Sequence, residues 1–127
     1  MAEFRSKLNI QLESNSANDG RGSWILLSPL VFYSSILRKE IIVPAGFVTD
    51  YASVPRLPLM YWLFGDTNHE AAVIHDFLYF TKQTSRKMAD RIFKEAAAAI
   101  GTSGWRRWLM YAGVRVGGAA AWENSDE

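Results

Sequence analysis

An adjacent histidine and aspartate, His75 and Asp76, stand in the middle of the apolar segment AAVIHDFLY. An imidazole can act as a general base or bind a metal ion at neutral pH, and a carboxylate can bind a cation. A carboxylate among apolar neighbours is costly unless a cation, a metal ion or several hydrogen-bond donors pair with it. The pair therefore predicts a polar site whose partners come from elsewhere in the chain.

Two other segments offer those partners. The loop GFVTDYASVPR follows a predicted strand, where function commonly lies, and supplies the polar side chains of Thr49, Asp50, Ser53 and Arg56. The segment SRKMADRIF, predicted to be helical, supplies Asp90 together with Arg86 and Arg91. If this helix packs against the preceding one through the short connection TKQTS, Asp90 approaches His75 and orients its imidazole. General bases and metal-bound histidines both use this arrangement.

Helix geometry separates the two adjacent residues. At 3.6 residues per turn, the side chains of His75 and Asp76 diverge by roughly 100°, and Tyr79 shares the face of His75. Three carboxylates, from Asp50, Asp76 and Asp90, gathered near one imidazole would repel one another unless a cation or protons intervened. We therefore expect Asp50 and Asp76 to be candidate ligands of a divalent cation.

A purely structural interpretation of the same residues stays open. His75 and Asp76 would then belong to a buried polar network that ties their helix to the VTDYASVP loop and does no chemistry. Asp50 alone is more typical of a turn-forming side chain than of a ligand, because Thr-Asp at a strand end readily forms local hydrogen bonds.

The elements that position these residues fall into two halves, and together they predict an α+β fold. Residues 1–47 are rich in β-branched and aromatic residues with turns between them. They predict a small antiparallel β-meander of about three strands, in FRSKLNIQLE, WILLSPLVFYSS and EIIVPAGFVT. Ser6 interrupts the apolar face of the first strand, and Pro29, which lacks an N–H, indicates an edge position or a bulge in the second.

Residues 53–121 predict three to four helices. The first is a short one capped by Ser53, the second spans about 68–80, the third begins after Thr84 or Ser85 and ends at Gly101, and the last spans 103–122. Thr67 with Glu70 three residues on is a capping box that marks the start of the second helix. Gly117 and Gly118 either break the last helix or allow close packing. Residues 123–127 form a polar tail.

Length and composition limit the classes of function that the chain can have. The 127 residues, 49% hydrophobic and 21% charged, predict a single folded domain. A net charge of +1 without a dense basic stripe gives no argument for a nucleic-acid partner. The absence of cysteine excludes disulfides, thiolate nucleophiles and the usual zinc-finger ligand sets. With no secretory signal or transmembrane run, we expect a protein made in the cytoplasm.

Two tryptophans in the last predicted helix, Trp105 and Trp108, flank Arg106 and Arg107. Such a pattern can stack on nucleic-acid bases or lie on a membrane surface. More commonly the tryptophans lie in the core or at an interface and the arginine stems cover apolar surface. Because Trp and Arg favour interface centres, a docking face for another protein is a further interpretation.

Three motifs, VPAGFVTDYASVPR, AAVIHDFLY and SRKMADRIF, occur in this order over the segment from about Pro44 to Asp90. Through them the chain resembles the phage and prophage family catalogued as domain of unknown function 1353, and a weaker resemblance continues to about Trp122. The resemblance implies a bacteriophage context, with partners among virion or host proteins and a location in the host cytoplasm or the virion. It implies no established activity. The positions matching the motifs are Thr49, Asp50, Ser53, Pro55, His75, Asp76, Tyr79, Ala89 and Asp90.

The H-D-x-x-Y spacing of His75, Asp76 and Tyr79 is also similar to the helical motif of the phospholipase A2 enzymes. In those enzymes the His activates water, the adjacent Asp binds calcium and a carboxylate from another helix orients the His. The resemblance implies these three roles for His75, Asp76 and Asp90. The chain departs from that family in having no glycine-rich calcium loop upstream, no cysteine, and a shorter separation between His75 and Asp90.

The first functional hypothesis is a small phage hydrolase in which a metal-activated water attacks an ester. His75 would be the general base or a ligand, Asp76 and Asp50 would hold the cation, and Asp90 would orient His75. No G-x-S-x-G motif occurs, which argues against a serine acyl-enzyme. The alternatives are a non-catalytic virion or tail-assembly component and a phage protein that binds a host factor.

Overall fold

A computed structural model of the chain describes residues 2–14, 23–49 and 69–124. These ranges contain the strands β1 (Glu3–Phe4), β2 (Ile10–Ser14), β3 (Ser23–Leu26), β4 (Leu30–Ser34), β5 (Lys39–Val43) and β6 (Val48–Thr49). They also contain the helices α1 (His69–Thr81), α2 (Arg86–Ala99), α3 (Gly104–Gly117) and α4 (Ala119–Asn124). The α+β class, with an antiparallel meander followed by helices, is confirmed.

Each of the three predicted strand segments is divided into two short strands. The strand order is β1-β4-β5 in one sheet and β2-β3-β6 in the other, and all pairings are antiparallel. In both sheets the first segment pairs with the second and the second with the third. The three segments therefore form one meander that bends midway along its length.

The bend lies at Pro29, where the sequence predicts an edge or a bulge. The hydroxyl of Ser6 donates to the carbonyl oxygen of Pro29 at 3.2 Å and accepts from the N–H of Val31 at 2.8 Å. Beyond the bend, the ladder resumes with a bond from the N–H of Leu27 to the carbonyl of Asn9 at 2.8 Å. Ser6 interrupts the apolar pattern of its segment because its side chain satisfies the backbone where the ladder is broken.

The core lies between the β4-β5 hairpin and the helices. On the hairpin, alternate residues point inward, and Leu30, Phe32, Ile41 and Val43 are fully buried or nearly so. Helix α1 packs against α2, α4 and β5, and it is buried over most of its circumference. A polar side chain on α1 is therefore removed from water whichever way it points.

Local signals set the ends of α2 as predicted, whereas Thr67, the predicted cap of the preceding helix, lies outside the described residues. The Ser85 hydroxyl accepts from the N–H of Met88 at 3.1 Å and so caps α2. Gly101 follows the end of α2 with φ +89°, the left-handed conformation that favours glycine. The last predicted helix is broken at Gly118 into α3 and α4. The short helix predicted at Ser53 lies outside the described residues, and no helix within them is long and apolar enough to cross a membrane.

Candidate functional site

The imidazole of His75 meets the carboxylate of Asp90 in the interior. His75 lies in the middle of α1, and Asp90 lies in the second turn of α2, which packs against α1. Nε2 of His75 is 2.7 Å from Oδ1 of Asp90, and both side chains are 0% exposed. The structure thus brings together the two residues that the sequence places on adjacent helices.

Asp90 is the centre of a larger cluster, here called the Asp90 network, which consists of His75, Tyr79, Arg86, Asp90 and Arg115. The Tyr79 hydroxyl donates to Oδ1 of Asp90 at 2.6 Å. On the other carboxylate oxygen, Nη1 of Arg115 donates to Oδ2 at 2.9 Å, and Nη1 of Arg86 lies 3.6 Å away. One buried carboxylate therefore binds groups from three helices, and both of its oxygens are used.

Burial shifts the pKa values of His75 and Tyr79, the two ring side chains that bond to Asp90. Loss of water lowers the pKa of the His75 imidazole, and this outweighs the opposing effect of Asp90. Burial also raises the pKa of the Tyr79 phenol, and its bond to Asp90 raises it further. At neutral pH the imidazole is therefore uncharged, and its Nε2–H donates to the Asp90 carboxylate. Because the ring proton is on Nε2, Nδ1 is the basic nitrogen of His75.

Two aromatic rings fix the plane of the imidazole. The centroid of the His75 ring lies 4.3 Å from that of Tyr79 and 4.7 Å from that of Phe93. The interplanar angles are 45° and 37°, respectively. Close packing on two sides leaves little freedom for the ring to turn. The orientation of Nδ1 is thus set by packing as well as by the bond to Asp90.

Asp76 binds a different element. The Thr49 hydroxyl of β6 donates to Oδ2 of Asp76, and the two residues are 2% and 8% exposed. This contact ties α1 to the end of the meander, at the first part of the VTDYASVP segment that the structural interpretation of the sequence considers. The other predicted loop residues, Asp50, Ser53 and Arg56, lie outside the described residues.

The predicted cation ligands, Asp50 and Asp76, remain a prediction. Among residues 2–14, 23–49 and 69–124, no group of three or more His, Asp or Glu side chains could hold a metal ion. Asp76 supplies a largely buried carboxylate, and oxygen donors of this kind suit Ca²⁺ and Mg²⁺.

The break between α3 and α4 lies directly against the Asp90 network. A Cβ at Gly118 would be 2.5 Å from the Val114 carbonyl oxygen and 2.6 Å from the Tyr79 hydroxyl. Arg86 also donates to the carbonyl of Val114, at 3.2 Å. The ring of Trp122 in α4 packs edge-on against Tyr79, with centroids 5.1 Å apart. The absence of a side chain at Gly118 is therefore what lets the chain pass this close to Tyr79.

Sequence reasoning missed Arg115 as a member of the network. Its only sequence signal is that it is the sole charged residue in the apolar and glycine-rich segment YAGVRVGG. A single cation in such a segment predicts a buried acceptor elsewhere in the chain. That acceptor, Asp90, comes 25 residues earlier, so the local sequence does not identify it. The sequence offers Arg86 as a candidate partner of Asp76, and the structure places its guanidinium beside Asp90 and the carbonyls at the end of α3.

The two predicted interface residues lie on the surface of α3. Trp105 is 55% exposed and Trp108 is 56% exposed, and Val116, further along the same helix, is 84% exposed. The tryptophans are therefore outside the core, the other location that the sequence allows. Their role at an interface remains a prediction.

Comparison with known proteins adds one finding. The model of a family described as Protein of unknown function (DUF1353) matches residues 24–114. The matched region extends from β3 almost to the end of α3, and it includes His75, Tyr79 and Asp90. No curated protein and no solved structure matches the chain.

Proposed function

We propose that this chain, which belongs to the DUF1353 family of proteins of unknown function, is a phage-encoded hydrolase in which His75 is the general base. The observation that carries the proposal is the 2.7 Å contact between Nε2 of His75 and Oδ1 of Asp90. It holds the ring proton on Nε2, and Nδ1 is then the nitrogen that can take a proton from water. An ester is the substrate class.

In this reaction, Nδ1 of His75 removes a proton from a water molecule while the water oxygen attacks the ester carbonyl carbon. The resulting imidazolium is stabilised by the Asp90 carboxylate, and it returns the proton to the alkoxide that leaves. Tyr79 and Arg115 keep Asp90 in place because they bind its two oxygens at 2.6 and 2.9 Å. The lowered pKa of His75 keeps the ring in its basic form at neutral pH.

A divalent cation is a second element of the proposal. Asp76 and Asp50 would hold it, and it would polarise the ester carbonyl. Among the described residues, the support for this element is Asp76, which follows the proposed base in the sequence. Its largely buried carboxylate has the oxygen atoms that a divalent cation binds.

The experiment is an assay of the purified chain on carboxylic esters and phosphodiesters, with and without added Ca²⁺ or Mg²⁺. We expect His75→Gln to remove turnover and Tyr79→Phe to reduce it by about tenfold or less, since Asp90 keeps its other donors. His69→Gln, at the only other histidine in the sequence, is the matched control and should have no effect. Full turnover by a folded His75→Gln variant would contradict the role of His75.

A second candidate function is a non-catalytic virion or tail component, or a phage protein that binds a host factor. The observation that favours it is the complete burial of His75 and Asp90, since a network that joins three helices also serves as a structural tie. The exposed side chains of Trp105 and Trp108 would then make the contacts. In a phage that encodes the chain, replacing both with Ala should lower its content in purified virions without lowering its unfolding temperature.

A further inference from the structure

A surface cleft lies along α2, and none of its residues belongs to the Asp90 network. It has a volume of about 340 Å³ and is lined by Ile36, Arg91, Lys94, Glu95, Ala98, Arg107 and Tyr111. Here it is called the α2-α3 cleft, because all of these residues except Ile36 belong to those two helices. Its volume is at the lower end of the range for small-molecule sites.

The single acidic residue of the cleft is already engaged. Oε1 of Glu95 accepts from the hydroxyl of Ser34 at 2.7 Å. Its Oε2 accepts from the N–H and the hydroxyl of Ser35 at 3.0 and 2.5 Å, and from the N–H of Ile36 at 3.2 Å. Glu95 therefore fixes the turn between β4 and β5. Although it is four residues from Arg91, the usual spacing for a helix ion pair, it does not pair with that cation.

Within the described parts of the chain, the three cations of the cleft have no acidic partner. Among the ion pairs formed within the described parts of the chain, none includes Arg91, Lys94 or Arg107. Lys94 lies over the ring of Tyr111, with Nζ 5.5 Å from the ring centroid. Arg107 donates through Nη1 to the carbonyl of Thr102 at 2.9 Å, which anchors its guanidinium. Like charges collected in a concave site raise the local positive potential.

We propose that the α2-α3 cleft binds the phosphate group of a small ligand. A phosphate presents several strong acceptor oxygens and close to two negative charges, and Arg91, Lys94 and Arg107 offer it charged donors that line one cleft. Guanidinium groups match its geometry through paired N–H donors. The cleft shares no residue with the Asp90 network. The phosphate site can therefore be tested separately from the proposed hydrolysis.

The test is calorimetric titration of the whole chain at low salt with inorganic phosphate, glycerol 3-phosphate, and glycerol as the uncharged control. Vesicles of phosphatidic acid in phosphatidylcholine, compared with phosphatidylcholine alone, show whether the phosphate is that of a lipid headgroup. We expect binding of glycerol 3-phosphate or of the phosphatidic acid vesicles, and no binding of glycerol. Absence of binding to every phosphate-bearing probe would overturn the proposal.

Variants test whether the phosphate-bearing ligand binds in the α2-α3 cleft. The double variant Arg91→Gln with Lys94→Gln removes two charge-assisted bonds and should weaken the affinity by about 100-fold. Lys87→Gln, an exposed lysine of the same helix outside the cleft, is the matched control and should bind as the unchanged chain does. Equal affinities for the double variant and the unchanged chain, or an equal loss in Lys87→Gln, would show that the cleft is not the site. Arg91→Gln alone answers the same question if the double variant does not fold.

Discussion

His75 and Asp90 form a fully buried contact between successive helices, with Nε2 of the imidazole 2.7 Å from Oδ1 of the carboxylate. A carboxylate with no access to water depends on its donors, and Asp90 has donors from α1 and α3 as well as the guanidinium of Arg86 in α2 at 3.6 Å. Its negative charge therefore holds α1, α2 and α3 together.

The first prediction concerns that charge. Asp90→Asn keeps the shape of the side chain but leaves the guanidinium groups of Arg86 and Arg115 without their carboxylate. We expect the free energy of unfolding to fall by about 3 kcal/mol, as when one partner of a buried ion pair is removed. Urea unfolding followed by circular dichroism measures the change.

The matched control is Glu40→Gln, the same chemical change in a surface ion pair. Glu40 accepts from Arg5 at 2.9 Å, and both side chains are more than 40% exposed. Pairs of this kind contribute about 1 kcal/mol or less. If Asp90→Asn costs no more than Glu40→Gln, the Asp90 network does not stabilise the fold.

The second prediction is a dependence of stability on pH. Burial lowers the pKa of His75 in the folded chain below its ordinary value of 6.5. As the pH falls below about 6.5, the unfolded chain takes up a proton at this residue while the folded chain does not, so stability decreases toward acid. The loss from this one group is at most about 1.4 kcal/mol per pH unit, and none of it occurs well above pH 7.

Nuclear magnetic resonance of ¹³C-labelled histidine measures this directly. The sequence has two histidines, so His69→Gln assigns the remaining signal to His75. We expect the His75 ring to titrate below 6.5, the ordinary pKa of an imidazole, because burial lowers its pKa. Titration of His75 at or above its ordinary pKa would mean that Asp90 outweighs burial.

The elements of this fold are largely encoded in local sequence signals, but the contacts between distant elements are not. Ser85 and Gly101 mark the ends of α2 because capping involves only neighbouring residues. The contact between His75 and Asp90 is foreseeable because a short connection joins their helices. Arg115 reaches the same carboxylate from α3, and no local pattern encodes the packing that brings it there.

The bent meander shows the same distinction. Pro29 and Ser6 each depart from the strand pattern, and each departure is visible in the sequence. Their relationship is not visible in the sequence, because it depends on the register in which two segments pair. It appears only in the folded chain, where the Ser6 hydroxyl bonds to the carbonyl of Pro29 and to the N–H of Val31. A local interruption therefore predicts where a strand bends but not which residue satisfies the broken ladder.

The third prediction tests the close approach at Gly118. Gly118→Ala would put a Cβ 2.5 Å from the Val114 carbonyl and 2.6 Å from the Tyr79 hydroxyl, so the network must shift. We expect a loss of about 1–3 kcal/mol, the usual cost of overpacking. Gly104→Ala is the control, because its nearest neighbour is 3.8 Å away. Thermal unfolding should show a lower midpoint for Gly118→Ala alone, and equal midpoints would mean that the backbone accommodates the methyl group.

The last prediction decides whether Asp76 binds a cation. If the proposed site exists, a cation at about 100 times its dissociation constant stabilises the folded chain by about 2.7 kcal/mol and raises the unfolding midpoint by several degrees. The midpoint is measured in EDTA and then with Ca²⁺, Mg²⁺, Mn²⁺ or Zn²⁺ added singly. Asp76→Asn should lose the rise, whereas Glu40→Gln should keep it. An unchanged midpoint with every ion would leave Asp76 as the acceptor of Thr49, and the carboxylate would then serve to join α1 to β6.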